Sequence, residues 1–344
     1  MNNLTERQKL ILALIIRDYI ETAQPIGSRY LVENYNLNVS SATVRNDMLA
    51  LSETGYLRQP HTSAGRIPTE DGYRFFVRQL MGHTELPSTT KRTIVHQFYQ
   101  AGMDIDRWMR LAASVLAHQS QAASLVTAPR SERSVFKHLE LISTRGRQVL
   151  MVLVLSGGEV NQQMLTLAEP ISQERLSIVA QSFNDLLLGL DSESIAALSV
   201  KFDALEQDII TLILDDLRHT SDMLTGEIYH DGLAHVLTEP EFETADIARN
   251  ALRVFEERQL LEDLLTRTVL SNDLSGVQVL IGGEGNWEEL RDFSIVLARY
   301  GAPGLATGTL GVLGPIRMPY GRTISTVRFV ASLLSDLVED ILLE

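Results

Sequence analysis

Ser40-Ser41-Ala42-Thr43-Val44-Arg45-Asn46-Asp47-Met48-Leu49-Ala50-Leu51-Ser52-Glu53-Thr54-Gly55 opens on a helix-capping serine and closes on a helix-ending glycine. Between them Val44, Met48 and Leu51 fall at i, i+4 and i+7, which puts one apolar stripe on one face of a helix running from Ser41 to about Glu53. Ser41, Ala42, Thr43, Arg45 and Asn46 then point away from that stripe. On the N-terminal side, Thr5-Glu6-Arg7-Gln8 is a capping box for a helix from about Glu6 to Thr22, with Leu10, Ile11, Leu14 and Ile15 at helical spacing. Pro25-Ile26-Gly27 breaks the chain. Ser28 is expected to cap a short second helix with Tyr30, Leu31 and Tyr35, and Asn36 to Val39 make the turn. On the C-terminal side, Tyr56 to Pro68 is rich in turn formers and predicts a small hairpin with its tip near Thr62 to Gly65. Thr69 caps a fourth helix through about Met81.

Three helices, a hairpin and a helix are the winged helix-turn-helix layout, with the third helix as the reader. Its outward side chains suit a DNA major groove. Serine and threonine hydroxyls serve phosphate or base edges, arginine pairs with guanine, asparagine with adenine, and alanine or a threonine methyl permits close approach. Arg58, His61 and Arg66 on the hairpin have the chemistry for a phosphate or the adjacent minor groove. Small helical domains of this layout also serve as protein-interaction modules.

Composition bounds the rest. The chain has 344 residues, 44% hydrophobic and 22% charged, enough for about two or three domains with full cores. It has no cysteine, which excludes a disulfide scaffold, a thiolate-bound metal and thiol catalysis. The formal charge is -14, with a pI near 5.1, and phosphate repels such a chain. The charge is uneven, however. Residues 1–82 carry nine Arg and Lys against eight Asp and Glu, net +1, and the remainder is net -15. A start of Met1-Asn2-Asn3-Leu4-Thr5-Glu6-Arg7 lacks a basic-then-apolar leader, and the run Tyr300 to Ile316 is broken by glycine and proline, so a cytoplasmic protein without membrane contact is expected.

His83 to Thr90 is read as a linker, followed by helical patterning from Thr90 to about Ala117. Phe136 to Ile142, Gln148 to Leu155 and Val160 to Leu167 predict a three-stranded meander, with turns at Thr144-Arg145-Gly146 and Ser156-Gly157-Gly158. Helices follow at Ser172 to Leu188, Ser192 to Leu198, Phe202 to about Thr220 and Thr244 to Thr268. Strands return at Val277 to Ile281, Phe293 to Tyr300 and Leu310 to Ile316 before a last helix, Thr323 to Leu342. Strands closed by a helix resemble an α+β ligand-sensor sheet, and the helix-rich middle reads as an insertion.

Catalytic constellations are thin. Gly282-Gly283-Glu284-Gly285 lacks the spacing of a dinucleotide fingerprint and the Lys-Ser/Thr of a phosphate loop, so it is read as a tight turn. Ser134-Val135-Phe136-Lys137 matches S-x-x-K without the companion motifs of that chemistry. His230-Asp231 has no further ligand in sequence range, and no catalytic residue or metal site is assigned.

Pro25-Ile26-Gly27-Ser28-Arg29, Ser40 to Met48, Gly55-Tyr56-Leu57 and, above all, His61-Thr62-Ser63-Ala64-Gly65-Arg66-Ile67-Pro68-Thr69-Glu70-Asp71-Gly72-Tyr73-Arg74 strongly resemble the bacterial heat-inducible repressor family HrcA. Gly311 to Tyr320 is similar to that family's second motif. The resemblance implies a multidomain α+β homodimer: a winged helix-turn-helix DNA-binding domain at 1–82, a linker and helix at 83–103, a GAF-like domain from 104–168 and 272–344, and an inserted α/β dimerising domain at 169–271. It implies double-stranded DNA as partner, in the form of an inverted-repeat operator, the CIRCE element, upstream of chaperonin and related operons. The GroE chaperonin is implied as the assistant that keeps the repressor active. The DNA-binding residues expected are Ser41, Ala42, Thr43, Arg45, Asn46, Arg58, His61 and Arg66. No cofactor is expected. The alternative is a one-component repressor sensing a metabolite through its GAF-like domain.

Overall fold

Thr5 accepts the Gln8 amide at 3.2 Å while the Gln8 side chain takes the Thr5 N–H at 3.0 Å, so the first helix starts on a complete capping box. The computed structural model describes residues 4–62, 64–82, 84–131, 134–156, 160–198, 202–222, 227–257, 261, 276–285, 287–302 and 305–343. Ser63 at the hairpin tip, His83, the turn residues Gly157 and Gly158, residues 258–260 and 262–268 of the fourth helical block and the expected boundary at 271/272 lie outside the described residues.

The chain order begins α1 (Glu6–Thr22), α2 (Ser28–Tyr35), α3 (Ser41–Glu53), β1 (Leu57–Arg58), β2 (Ile67–Pro68), α4 (Glu70–Phe75), α5 (Ser88–Ala101), α6 (Ile105–Ser120) and β3 (Ala123–Thr127). It continues with β4 (Arg130–Ser131), β5 (Phe136–Arg145), β6 (Gln148–Leu155), β7 (Val160–Thr166), α7 (Gln173–Leu187), α8 (Ser192–Ala196) and α9 (Ala204–Asp222). It ends with β8 (Ile228–Asp231), α10 (Leu233–Leu237), α11 (Ala245–Glu256), β9 (Val277–Ile281), β10 (Phe293–Ala302), β11 (Ala306–Pro315) and α12 (Tyr320–Leu343). The fold is mixed α+β and falls into two compact units.

The first unit holds residues 1–128, 227–300 and 308–344. Its N-terminal part packs α1 on α3 and α2 on α3, burying Ile11, Leu12, Ile15, Ile16, Leu31, Val44, Met48 and Leu51. β1 and β2 form the antiparallel hairpin, and Ile26 bridges to Arg66 through both amides, at 2.8 and 2.9 Å, as a third short rung. This rung explains the glycine before Arg66. A Cβ on Gly65 would stand 2.3 Å from the Ile26 carbonyl oxygen, and one on Gly72 the same distance from that of Tyr56. The rest of the unit is a sheet in the order β8-β3-β11-β10-β9. Leu125, Phe293, Ile295, Leu297 and Leu313 of this sheet pack with Val236, Phe242, Ala251, Val254 and Phe255 from α10, α11 and their connection. α6 lies against β3, β8 and α12.

The second unit holds residues 129–226 and 301–307. β5, β6 and β7 form an antiparallel meander. One face of it, with Leu139, Leu141, Met151 and Leu153, shares a core with Leu176, Val179 and Phe183 of α7 and with Ile209, Ile210 and Ile213 of α9.

The residues on either side of 168/169 share one core, because the meander buries its apolar face under the helices that follow it. The structure corrects three expectations. Ser28 is the first helical residue of α2, not its cap; Gly27 takes the cap position and makes no side-chain bond there. The helix expected from Thr90 to Ala117 is two helices, since Gly102 adopts φ +70° and Asp104 caps α6 by accepting the Arg107 amide at 3.2 Å. The strands β3 and β8 were not expected at all; β3 is buried on both faces and lacks the alternation that marks a half-exposed strand.

The Gly65 close approach makes a direct prediction. Gly65→Ala should destabilise the protein by about 1–3 kcal/mol through backbone displacement, measured as a lowered thermal unfolding midpoint. An unchanged midpoint would contradict the tight rung.

Candidate nucleic-acid interface

Ser40 caps α3 by accepting the Thr43 amide at 3.1 Å, and its hydroxyl lies 3.0 Å from that of Thr43. Beyond this cap, burial of Val44, Asp47, Met48 and Leu51 leaves Ser41, Ala42, Arg45 and Asn46 exposed on one outer face, with Thr43 half-buried at its edge. Leu49, one turn beyond Arg45, continues that face at 48% exposure. Among the described residues Arg45, Arg58 and Arg66 make no ion pair. A helix thus displays an amide, a guanidinium and small side chains with their donors available, which is the inventory that major-groove base edges accept.

The hairpin presents the second group. The Gln59 amide donates to the Thr62 and Ala64 carbonyls, at 3.0 and 2.9 Å, and so ties the tip together; Arg58 and His61 are exposed and Arg66 is half-buried. Its base is fixed by Thr69, whose hydroxyl donates to the Gly55 carbonyl at 2.6 Å and accepts the Gly72 amide at 3.1 Å, joining hairpin to α4. Of the eight expected residues, the structure gathers five on α3 and three on the hairpin. Among the described residues no side-chain hydrogen bond links the two groups.

Four supporting residues were not foreseen from the sequence. Arg7 from the first turn of α1 grips Asp47 of α3, Nε to Oδ2 at 2.6 Å and Nη2 to Oδ1 at 3.3 Å. The Tyr35 hydroxyl donates to the buried Asp18 carboxylate, fastening the end of α2 to α1. Arg74 of α4 donates to the Ile281 carbonyl at 2.6 Å and to Asp71 at 2.8 Å. Arg317, nearly buried, donates to Glu241 at 2.5 Å, to the Ile20 carbonyl at 3.1 Å and to Glu239. Within the same unit, Arg74 ties α4 to β9, and Arg317, just after β11, ties α1 to the connection between α10 and α11. Asp71 stands three positions from Arg74, but the other partners lie 17 to 297 positions away, and no local pattern in sequence marks such pairs.

Comparison with known proteins identifies the chain. Residues 106–324 match the family model described as HrcA protein C terminal domain. A protein of Roseiflexus castenholzii named heat-inducible transcription repressor HrcA is 44% identical over 347 residues, covering 98% of this chain and 96% of that one. The chain belongs to the HrcA family. A second HrcA relative, from Chloroflexus aurantiacus and of the same name, is 44% identical over 352 residues, covering 98% of this chain and 95% of its own length. A solved crystal structure of a hypothetical protein shares the fold at TM-score 0.56 and 24% identity, covering 98% of each chain. No helix among the described residues is long and apolar enough to cross a membrane.

The Tyr35–Asp18 bond tests how α2 is held on α1. Hydrogen bonding to Asp18, then burial, pushes the Tyr35 phenol up to about 12 from the ordinary 10.0. A group whose folded value is raised adds stability that is whole below its unfolded value and is lost as pH climbs through its folded value. Tyr35→Phe should therefore cost about 1 kcal/mol at neutral pH, discounted for partial exposure. The gap to the parent should stay constant up to about pH 10 and close toward about pH 12. Urea unfolding midpoints across that range check this, and a gap independent of pH would contradict it.

Proposed function

We propose that this HrcA-family chain represses heat-inducible operons by binding DNA through a winged helix-turn-helix head at residues 1–82, with α3 as reader and the β1–β2 hairpin as wing. The observation that carries this reading is the outer face of α3. A capped helix, rigidly buried on one side, displays Arg45 and Asn46 without internal partners among the described residues. In the complex Arg45 and Asn46 contact bases, Thr43 approaches through its methyl because its hydroxyl is shared with the cap, Ala42 permits close approach, Ser41 and Arg66 fix phosphates, and Arg58 and His61 line the adjacent backbone or minor groove.

The sheet of the first unit is assigned as the GAF-like domain and the unit at 129–226 as the inserted dimerising domain. Two chains pair through these later parts, and the two-fold symmetry matches an inverted-repeat operator, the CIRCE element. Bound repressor blocks initiation. The GroE chaperonin assists the active form, and its occupation by unfolded clients during heat shock lowers repression. The protein works in the cytoplasm by binding, with no catalytic step and no cofactor. A net charge of -15 outside the head disfavours approach to phosphate, so affinity depends on pairing two heads and on their placement more than on bulk attraction.

Two substitutions separate base reading from backbone contact. Arg45→Ala should cost about 1–3 kcal/mol on the operator and relax specificity at one position, whereas Arg66→Ala should weaken all duplexes alike and reduce the salt slope by about 1. Binding titrations on matched and mismatched inverted repeats decide this, and equal losses for Arg45→Ala on both would contradict base reading.

A further inference from the structure

Asp47 sits at the border of α3, directly after the exposed Arg45 and Asn46 and directly before the buried Met48. Its side chain is only 9% exposed, and among the described residues its carboxylate has one ion-pair partner, Arg7, which comes from another helix. The contact is side-on. Nε and Nη2 each meet a different carboxylate oxygen, so the planar fork fixes the rotation of the carboxylate as well as its charge. Arg7 is itself anchored, because the Thr5–Gln8 capping box holds its turn and the buried residues that follow from Ile11 hold its helix.

From this geometry we infer that Arg7 is a positioning residue for DNA reading, acting through Asp47; the inference rests on α3 being the reading helix. Without Arg7, Asp47 is a nearly buried charge with no counterion, and such a group seeks water. On a helix it reaches water by rotation or shift of its turn, and Arg45 and Asn46 on the same turn move with it. The carboxylate also emerges beside the face that meets phosphate, where like charge repels. Arg7 prevents both.

A phosphate-contacting arginine and a positioning arginine respond differently to a second substitution. Full-length wild type, Arg7→Ala, Asp47→Asn, the double variant, Arg7→Lys and Arg45→Ala would be titrated on a CIRCE inverted-repeat duplex and on a scrambled duplex over a range of salt concentrations. Thermal unfolding of each would verify folding. Arg7→Ala is expected to lose operator affinity about tenfold or more, with a far smaller loss on the scrambled duplex and an unchanged salt slope. Asp47→Asn in the Arg7→Ala background should recover most of the loss, because the stranded charge is gone. Arg7→Lys should recover only part, since an ammonium restores charge without the fork.

A double variant as weak as Arg7→Ala, with the salt slope lowered by about 1, would overturn the proposal and make Arg7 a direct phosphate ligand. Wild-type affinity for Arg7→Ala beside a loss for Arg45→Ala would overturn the proposal alone. Wild-type affinity for Arg45→Ala would overturn the reading of α3 and this proposal with it.

Discussion

A helix of three turns cannot bury two opposite faces in a small domain, and the N-terminal part of this chain is organised around which face of α3 goes in. Val44, Met48 and Leu51 go under α1 and α2 with almost no residual exposure. Burial of apolar area is the dominant favourable term and decides which face of α3 turns inward, while the Arg7–Asp47 pair holds the turn that carries Arg45 and Asn46. The outward display of Ser41, Ala42, Arg45 and Asn46 is therefore a consequence of the core and not of any contact the display makes. The short elements around α3 serve the same end. The Ile26–Arg66 rung and the close backbone approaches at Gly65 and Gly72 hold the hairpin against the helices without side-chain bulk.

How much was legible in the sequence follows from the range of the interaction. α1 and α3 lie where their caps and apolar spacing place them, because a capping box and an i, i+4, i+7 stripe are local. The hairpin followed from turn chemistry, although its glycines had a second reason, the backbone of Ile26 and Tyr56, which only the tertiary fold supplies. β3 was illegible for an equally physical reason: a strand buried on both faces shows no period of two, and Ala123-Ser124-Leu125-Val126-Thr127 also follows a helix without a proline or glycine to announce the change. The meander is legible as strands, but nothing local says which helices cover it, and only the fold places α7 and α9 on its apolar face. The residues of the α3 face were read correctly as outward, while the ion pair that orients them, Arg7 with Asp47, spans forty positions and was not.

Electrostatics is where composition misled most. A net charge of -14 argues against a polyanionic partner, and even the head alone sums to only +1. The fold changes the meaning of that sum. Glu6, Asp47, Glu70 and Asp71 are engaged by Lys9, Arg7 and Arg74, whereas Arg45, Arg58 and Arg66 make no ion pair among the described residues. Pairing engages Glu6, Asp47, Glu70 and Asp71, four of the eight acids of residues 1–82, at the expense of three basic groups, and among the described residues leaves Arg45, Arg58 and Arg66 available. Affinity for DNA depends on where unpaired charge is presented, and a formal total over the chain does not report that.

Hydroxyl-radical footprinting of side chains, read by mass spectrometry on the full chain with and without an inverted-repeat duplex, distinguishes the proposed α3-and-hairpin interface from every other surface. Exposed, reactive probes exist on both kinds of surface: Leu49 and His61 on the proposed interface, Tyr99 of α5 and Met164 of β7 elsewhere. Leu49 and His61 should lose reactivity on the duplex while Met164 and Tyr99 keep theirs. Undiminished reactivity at Leu49 and His61, with protection at Met164 or Tyr99 instead, would contradict it.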